Sequence, residues 1–226
     1  MGEAAICAAN YLAVRVGMQL QVYDMTKREK LRSLEVSGCV RYWKFSRIDQ
    51  ITLVVDDTVY RWNWGSGGDV TAHFTLFEEL KDHRIMDVRS NSANDVHLVR
   101  GLTAKRGELL GMIHVYSDEY QESQCIVAHA ADFCEWTGPS GESTTLLCAA
   151  HKVQDRILIH VSEIKDVLSQ VRQSAQQRNS LPLFGTRLYE HSISAGREKD
   201  FPVVLHAISD PNSNHPPLFH VVGHSI

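Results

Sequence analysis

The chain has 226 residues, 43% hydrophobic and 22% charged, which suits one or two folded domains rather than a disordered segment. Its formal charge of -4 lacks the basic excess that binding a phosphate backbone requires, so nucleic acid is not an expected partner. No apolar run approaches the length of a membrane-spanning helix, and the segment from Met1 to Cys7 lacks the charged start of a signal peptide.

Strand patterns dominate from the start. Leu12–Val16 and Leu20–Tyr23 alternate in polarity around Gly17 and predict a hairpin. Val40–Phe45 and Ile51–Val55 follow, and an Asp56-Asp57 turn leads into Thr58–Trp62. The same three-part phrase returns as Ile85–Val88, Val96–Val99 and Leu109–Tyr116. A third copy is read through Cys125–Ala128, Thr145–Ala149 and Ile157–Val161, and a fourth begins at Phe201–Leu205 and Leu218–Val222. The closing strands carry the repeat most clearly: Val22-Tyr23-Asp24, Val59-Tyr60-Arg61, Val115-Tyr116-Ser117 and His160-Val161-Ser162. Repeated β-units of about 40 to 50 residues predict an all-β chain, an incomplete β-propeller of four-stranded antiparallel blades. A β-sandwich accounts for the strands but not for their repeated order. One segment departs from the pattern. Ile164, Val167, Leu168, Val171 and Ala175 fall at helical spacing and predict one inserted amphipathic helix between Glu163 and Asn179.

Catalytic and metal chemistry finds little support in the residues. The 12 histidines are scattered, with no H-E-x-x-H and no Cys/His zinc spacing, so no metal, cofactor or catalytic set is expected. Gly65-Ser66-Gly67-Gly68 is followed by no helix start, and Gly138–Ser143 lacks the Lys of a phosphate loop, so both read as turns. The five cysteines include no C-x-x-C pair, and Cys134 and Cys148 sit in apolar runs, which fits reduced, buried thiols of a cytosolic protein.

The runs Val40-Arg41-Tyr42-Trp43-Lys44-Phe45 and Leu53–Trp62 resemble the N-terminal propeller of the clathrin heavy chain family. The likeness continues through Leu98–Leu102, Gly111–Ser117, His129–Phe133 and Asp200–Val203, and needs no gap from Leu12 to Phe133. It implies a non-enzymatic vesicle-coat component, cytoplasmic, on the cytosolic face of coated pits and vesicles. Its propeller would dock adaptor proteins that carry acidic-hydrophobic clathrin-box peptides. Other clathrin heavy and light chains would be partners through regions outside this chain, and membrane association would be indirect. The alternative is an unrelated WD-repeat-like scaffold, whose Gly-His and Trp-Asp signatures are missing.

On this reading residues 1–226 form a partial propeller. Residues 1–62 would be the second blade and the start of the third, and 63–162 the middle blades. Residues 163–200 would be the inserted helix and loop, and 201–226 the start of the next blade. The second-blade wall of the clathrin-box groove maps onto Leu12, Gln19, Gln21, Tyr23, Arg28 and Lys30. Leu12 and Tyr23 would supply apolar contact, Gln21 amide hydrogen bonds, and the cations pairing for peptide carboxylates. Elsewhere the chain departs from the family. Arg84 stands in place of a Gln at a second groove, and Val96, Val115 and Tyr120 replace Trp, Leu and Arg at a third.

Overall fold

The structure is a computed structural model that describes residues 2–137, 141, 143–164, 187–194, 200–208 and 218–225. It divides into two compact units, residues 1–81 and 82–226.

In the first unit, β1 (Gly2–Ala8), β2 (Tyr11–Val16), β3 (Gln19–Asp24) and β4 (Glu29–Glu35) pair in chain order as one antiparallel sheet. A second sheet follows the same plan with β5 (Val40–Arg47), β6 (Gln50–Val55), β7 (Thr58–Asn63) and β8 (Asp69–Thr75). A short 3-10 turn, Glu78–Leu80, ends the unit. Alternation decides which face goes inward. In β3, Leu20 and Val22 are buried while Gln19 stays exposed, as period-two patterning requires. Leu20 and Val22 join Ala13, Ile51, Leu53, Trp62 and Trp64 in the core between the two sheets. A fully buried aliphatic side chain of this kind contributes about 1.5–3 kcal/mol of transfer free energy. Arg41 closes the unit from below. Its guanidinium donates to the Asp56 carbonyl, the Asp57 carboxylate and the carbonyls of Leu80 and Lys81.

In the second unit, β9 (Arg84–Ser90), β10 (Val96–Lys105), β11 (Glu108–Ser117) and β12 (Glu122–Val127) form the third sheet. The fourth comprises β13 (Ala130–Thr137), β14 (Ser143–Val153), β15 (Arg156–Glu163) and β16 (Arg187–Ser194). β17 (Asp200–Ile208) and β18 (Leu218–Ser225) pair as a two-stranded sheet. Leu98, Ile113, Val115, Ile126, Leu147 and Ala149 join the third and fourth sheets in one core. Gly111 is required there. A Cβ at this position would fall within contact distance of the Ala128 carbonyl oxygen and 2.6 Å from the His129 Cα.

Each four-stranded sheet is a simple meander, and the second and third strands of each join through a two-residue turn: Gly17-Met18, Asp56-Asp57, Arg106-Gly107 and Gln154-Asp155. The first residue of every one of these turns has positive φ, between 50° and 59°. The repeat is therefore geometric as well as sequential. The closing phrases around Tyr23, Tyr60, Tyr116 and Val161 all lie on the third strand of their sheet, β3, β7, β11 and β15.

One grouping differs from the sequence reading. Cys125–Ala128 does not open the third copy; Cys125 to Val127 belong to β12, the outer strand of the third sheet, and β13 opens the next. A three-strand phrase has no place for an outermost strand, which is why the sequence pattern sets this segment one unit too late. The helix expected between Glu163 and Asn179 lies outside the described residues beyond Ile164. Glu163 ends β15, and the Ile164 side chain is buried in the core. The Gly65–Gly68 segment is a turn as expected, with the Gly68 N–H donating to the Asn63 carbonyl at 3.0 Å. Most of Gly138–Ser143 lies outside the described residues. Cys125, Cys134 and Cys148 are buried thiols and Cys39 an exposed one, none of these four joined in a disulfide.

Candidate docking face on the first sheet

Of the six residues expected to line a peptide groove, Leu12, Gln19, Gln21, Tyr23 and Lys30 fall on strands of the first sheet, and Arg28 lies in the turn between β3 and β4. The β2–β3 register is set by the two-residue turn, which pairs Val16 with Gln19, Val14 with Gln21 and Leu12 with Tyr23. Across β3 and β4, Tyr23 pairs with Lys30. Leu12, Tyr23 and Lys30 therefore form a row across three strands, on the face opposite the buried Leu20 and Val22. An irregularity between Val22 and Tyr23 shifts the register there, and it is this shift that sets Lys30 opposite Tyr23.

Along β3 the polar side chains are linked. The Tyr23 hydroxyl donates to the Gln21 amide oxygen, and Gln21 Nε2 donates to Gln19 Oε1 at 3.0 Å. This relay holds the half-buried Gln21 amide in one orientation, while Gln19 is exposed at its end.

The cations come from the β3–β4 turn. Asp24, 8% exposed, accepts the Thr26 N–H at 2.8 Å and the Lys27 N–H at 3.0 Å, and the Met25 N–H donates to the Asn10 carbonyl. The chain then passes through Arg28 at φ 56°, in the left-handed region. Arg28 and Lys30 are both exposed, and Lys27 is paired with Glu29 at 3.8 Å. Arg28 thus belongs to the turn beside the face rather than to the row itself. Chemically, the arrangement offers an apolar and aromatic strip, fixed amide groups, and two exposed cations at one end.

The residues of the other two family grooves sit differently. Val96 and Val115 are 5% and 0% exposed and belong to the core, with Tyr120 packed against it. They support the sheet and present no groove wall. Arg84 is exposed at the start of β9.

Sequence reasoning missed the polar interior of the second unit. Ser90 Oγ lies 2.7 Å from His97 Nδ1, and His97 Nε2 lies 3.0 Å from Asp118 Oδ2. Because His97 pairs with Ser90 on one side and Tyr116 on the other, this chain ties β9, β10 and the end of β11 together. His114 is fully buried with Nε2 2.7 Å from Ser123 Oγ, and burial pushes its pKa down to about 3. His129 uses both ring nitrogens: Nδ1 accepts the Lys152 N–H, and Nε2 donates to the Leu109 carbonyl. Burial lowers its pKa and that of His151, whose ring stacks on it. Strand histidines alternate with apolar residues as any polar residue would, so only the intervals between Ser90, His97 and Asp118 hint at pairing.

The fold and the face together define a class: an all-β chain of propeller-type blades, with an amphipathic strip and cationic turn exposed on its first sheet. No protein-family model matches it. Its curated relatives are clathrin heavy chains. That of Dictyostelium discoideum is 27% identical over 154 residues, covering 68% of this chain and 9% of that protein. That of Drosophila melanogaster is 25% identical over 199 residues, 88% of this chain and 11% of the relative. A probable clathrin heavy chain 1 of Caenorhabditis elegans is 27% identical over 69% of this chain and 9% of its own length. The sequence thus resembles part of the clathrin heavy chain, and it spans about a tenth of the length of these relatives. Among solved structures, a luciferin-regenerating enzyme aligns over 100% of this chain and 76% of its own, with TM-score 0.48 and 10% identity. The N-terminal domain of Nup159 aligns over 98% of this chain and 62% of its own, with TM-score 0.48 and 11% identity. Among the described residues no helix is long and apolar enough to cross a membrane.

Proposed function

We propose that the chain is a propeller segment of a vesicle-coat protein, without enzymatic activity, whose first sheet docks short acidic-hydrophobic adaptor peptides on the cytosolic face of membranes. The observation that carries this reading is the row of Leu12, Tyr23 and Lys30, flanked by Gln21 and the Arg28 turn, in a chain similar to clathrin heavy chains. An extended peptide lays an aliphatic side chain against Leu12 and Tyr23 and hydrogen-bonds its backbone to the Gln21 amide. Its acidic residues lie toward Lys30 and Arg28. Assembly with other heavy and light chains belongs to the spans of the relatives outside the matched segment.

Apolar contact supplies most of the affinity, because an exposed cation–carboxylate pair contributes only about 0–1 kcal/mol. Replacing both cations by acids does more than remove attraction, since it sets like charges against the peptide. Titration calorimetry with an acidic L-Φ-x-Φ-D/E peptide tests this. Arg28→Glu combined with Lys30→Glu weakens binding at least about tenfold, and high salt weakens the unmutated chain more than the variant. Equal dissociation constants would reduce the basic run to a solvated turn.

A further inference from the structure

The docking face holds one further hydroxyl, that of Ser33 on the last strand of the first sheet. Gln21 pairs with Ser33, between the pairs Leu20 with Leu34 and Val22 with Arg32. Leu20 and Val22 are buried, so Ser33 stands with Gln21 on the opposite face, that of the Leu12, Tyr23 and Lys30 row. Arg32, opposite Val22, does not. Ser33 is exposed, and so is Glu35, which pairs with Gln19 on the same face. Along β4, Ser33 therefore lies between Glu35 and the cation of Lys30.

The residues before Ser33 suit one kind of modifying enzyme. Arg32, Lys30 and Arg28 precede it by one, three and five residues, and all three are exposed. Glu29, within the same run, is paired with Lys27 at 3.8 Å. Cations repeated before a hydroxyl complement an acidic kinase cleft, a charge pattern by which kinases select substrates. Such a cleft takes its acceptor segment extended, and β4 is placed to supply one. It is an outer strand, and none of its seven residues is buried. Few buried apolar contacts keep the free energy of local opening small.

We propose that Ser33 is a phosphorylation site for a kinase that selects cations before its acceptor, and that the phosphate closes the Leu12–Tyr23 face to acidic peptides. The closing effect rests on the docking function proposed above; the modification does not. In the transfer, Ser33 Oγ attacks the γ-phosphorus of ATP and the bond from that phosphorus to the ADP oxygen breaks. The hydroxyl proton passes to the kinase's catalytic aspartate. The ester brings about −1.5 to −2 charge at pH 7 and three acceptor oxygens. It sets a like charge against the peptide's acids and draws Lys30, on the same face, into a pair of its own.

The test treats the folded whole chain with ATP and the catalytic subunit of cyclic-AMP-dependent protein kinase and maps phosphate by mass spectrometry. Treated and untreated chains are then titrated with the acidic L-Φ-x-Φ-D/E peptide. One phosphate on Ser33 is expected, and it is absent when Arg28→Glu and Lys30→Glu remove the upstream cations. Binding weakens at least about tenfold on treatment, recovers with a phosphatase, and is unaffected by treatment in Ser33→Ala. Added salt narrows the gap because the repulsion is screened, whereas a distorted sheet would bind weakly at any salt. No phosphate on Ser33, or phosphate only elsewhere, would overturn the site. Phosphate on Ser33 with unchanged affinity would overturn the closing effect and leave the docking function standing. Failure of the untreated chain to bind the peptide would overturn the docking function and the closing effect together, and the mapped phosphate would stand by itself.

Discussion

Acid should unfold the second unit from inside, and His114 gives the size of the effect. The side chain is fully buried, and its pKa in the folded state is about 3 against 6.5 in the unfolded chain. The unfolded state therefore takes up a proton near pH 6.5 that the folded state refuses until far lower pH. Stability from this group is fully present above about pH 6.5 and is lost as pH falls toward about 3. At pH 5 the unfolded histidine is protonated through about 1.5 pH units, and each unit is worth about 1.4 kcal/mol, so the loss from His114 alone is about 2 kcal/mol. His129 and His151 shift in the same direction and add to it. Urea unfolding at pH 7 and pH 5, read by hydrogen exchange in peptides from β10 and β11, isolates this sheet. In His114→Gln the drop between the two pH values should shrink by about 2 kcal/mol relative to the unmutated chain. An identical drop in both proteins would refute the argument and assign the acid sensitivity to other groups.

Three further outcomes follow from the packing. Gly111→Ala forces β11 away from the Ala128–His129 backbone and should destabilise the second unit by about 1–3 kcal/mol, measured by urea titration. Arg41→Met leaves the Leu80 and Lys81 carbonyls without their charged donor and should cost about 1.5–3 kcal/mol in the first unit, read by thermal melting. Asp24→Ala removes both acceptor bonds that shape the β3–β4 turn. It should cost about 1 kcal/mol of stability and weaken the acidic peptide severalfold by misplacing Arg28, with calorimetry as the measurement.

What the sequence made legible is the inner part of each blade. The hairpins around Gly17 and Asp56 join strands with clean alternation, and the closing phrases recur because the third strand of each sheet meets the same neighbours on both sides. The candidate docking residues come from the family resemblance, and the two-residue turn after Val16 then places Leu12 opposite Tyr23 by counting. The outer strands were harder to read. β4, with sequence Glu29-Lys30-Leu31-Arg32-Ser33-Leu34-Glu35, has an exposed edge and little core, so its pattern is too weak to mark a strand. β12 failed in the opposite way. Gln124, Cys125 and Ile126 are all buried, so no alternation marks its place in the sheet. Partners distant in sequence left no local trace at all, as with Arg41 reaching Leu80, or Arg89 bonding Asp132 at 2.7 Å.

The position of a bound acidic-hydrophobic peptide tests the central claim most directly. An L-Φ-x-Φ-D/E peptide with a photoreactive phenylalanine analogue at one apolar position, irradiated with the chain and mapped by mass spectrometry, reports which strands it touches. The account predicts cross-links within β2 and β3, at or beside Leu12 and Tyr23, that disappear in the Arg28→Glu, Lys30→Glu variant. Cross-links confined to the second unit, or none above a scrambled peptide, would contradict it.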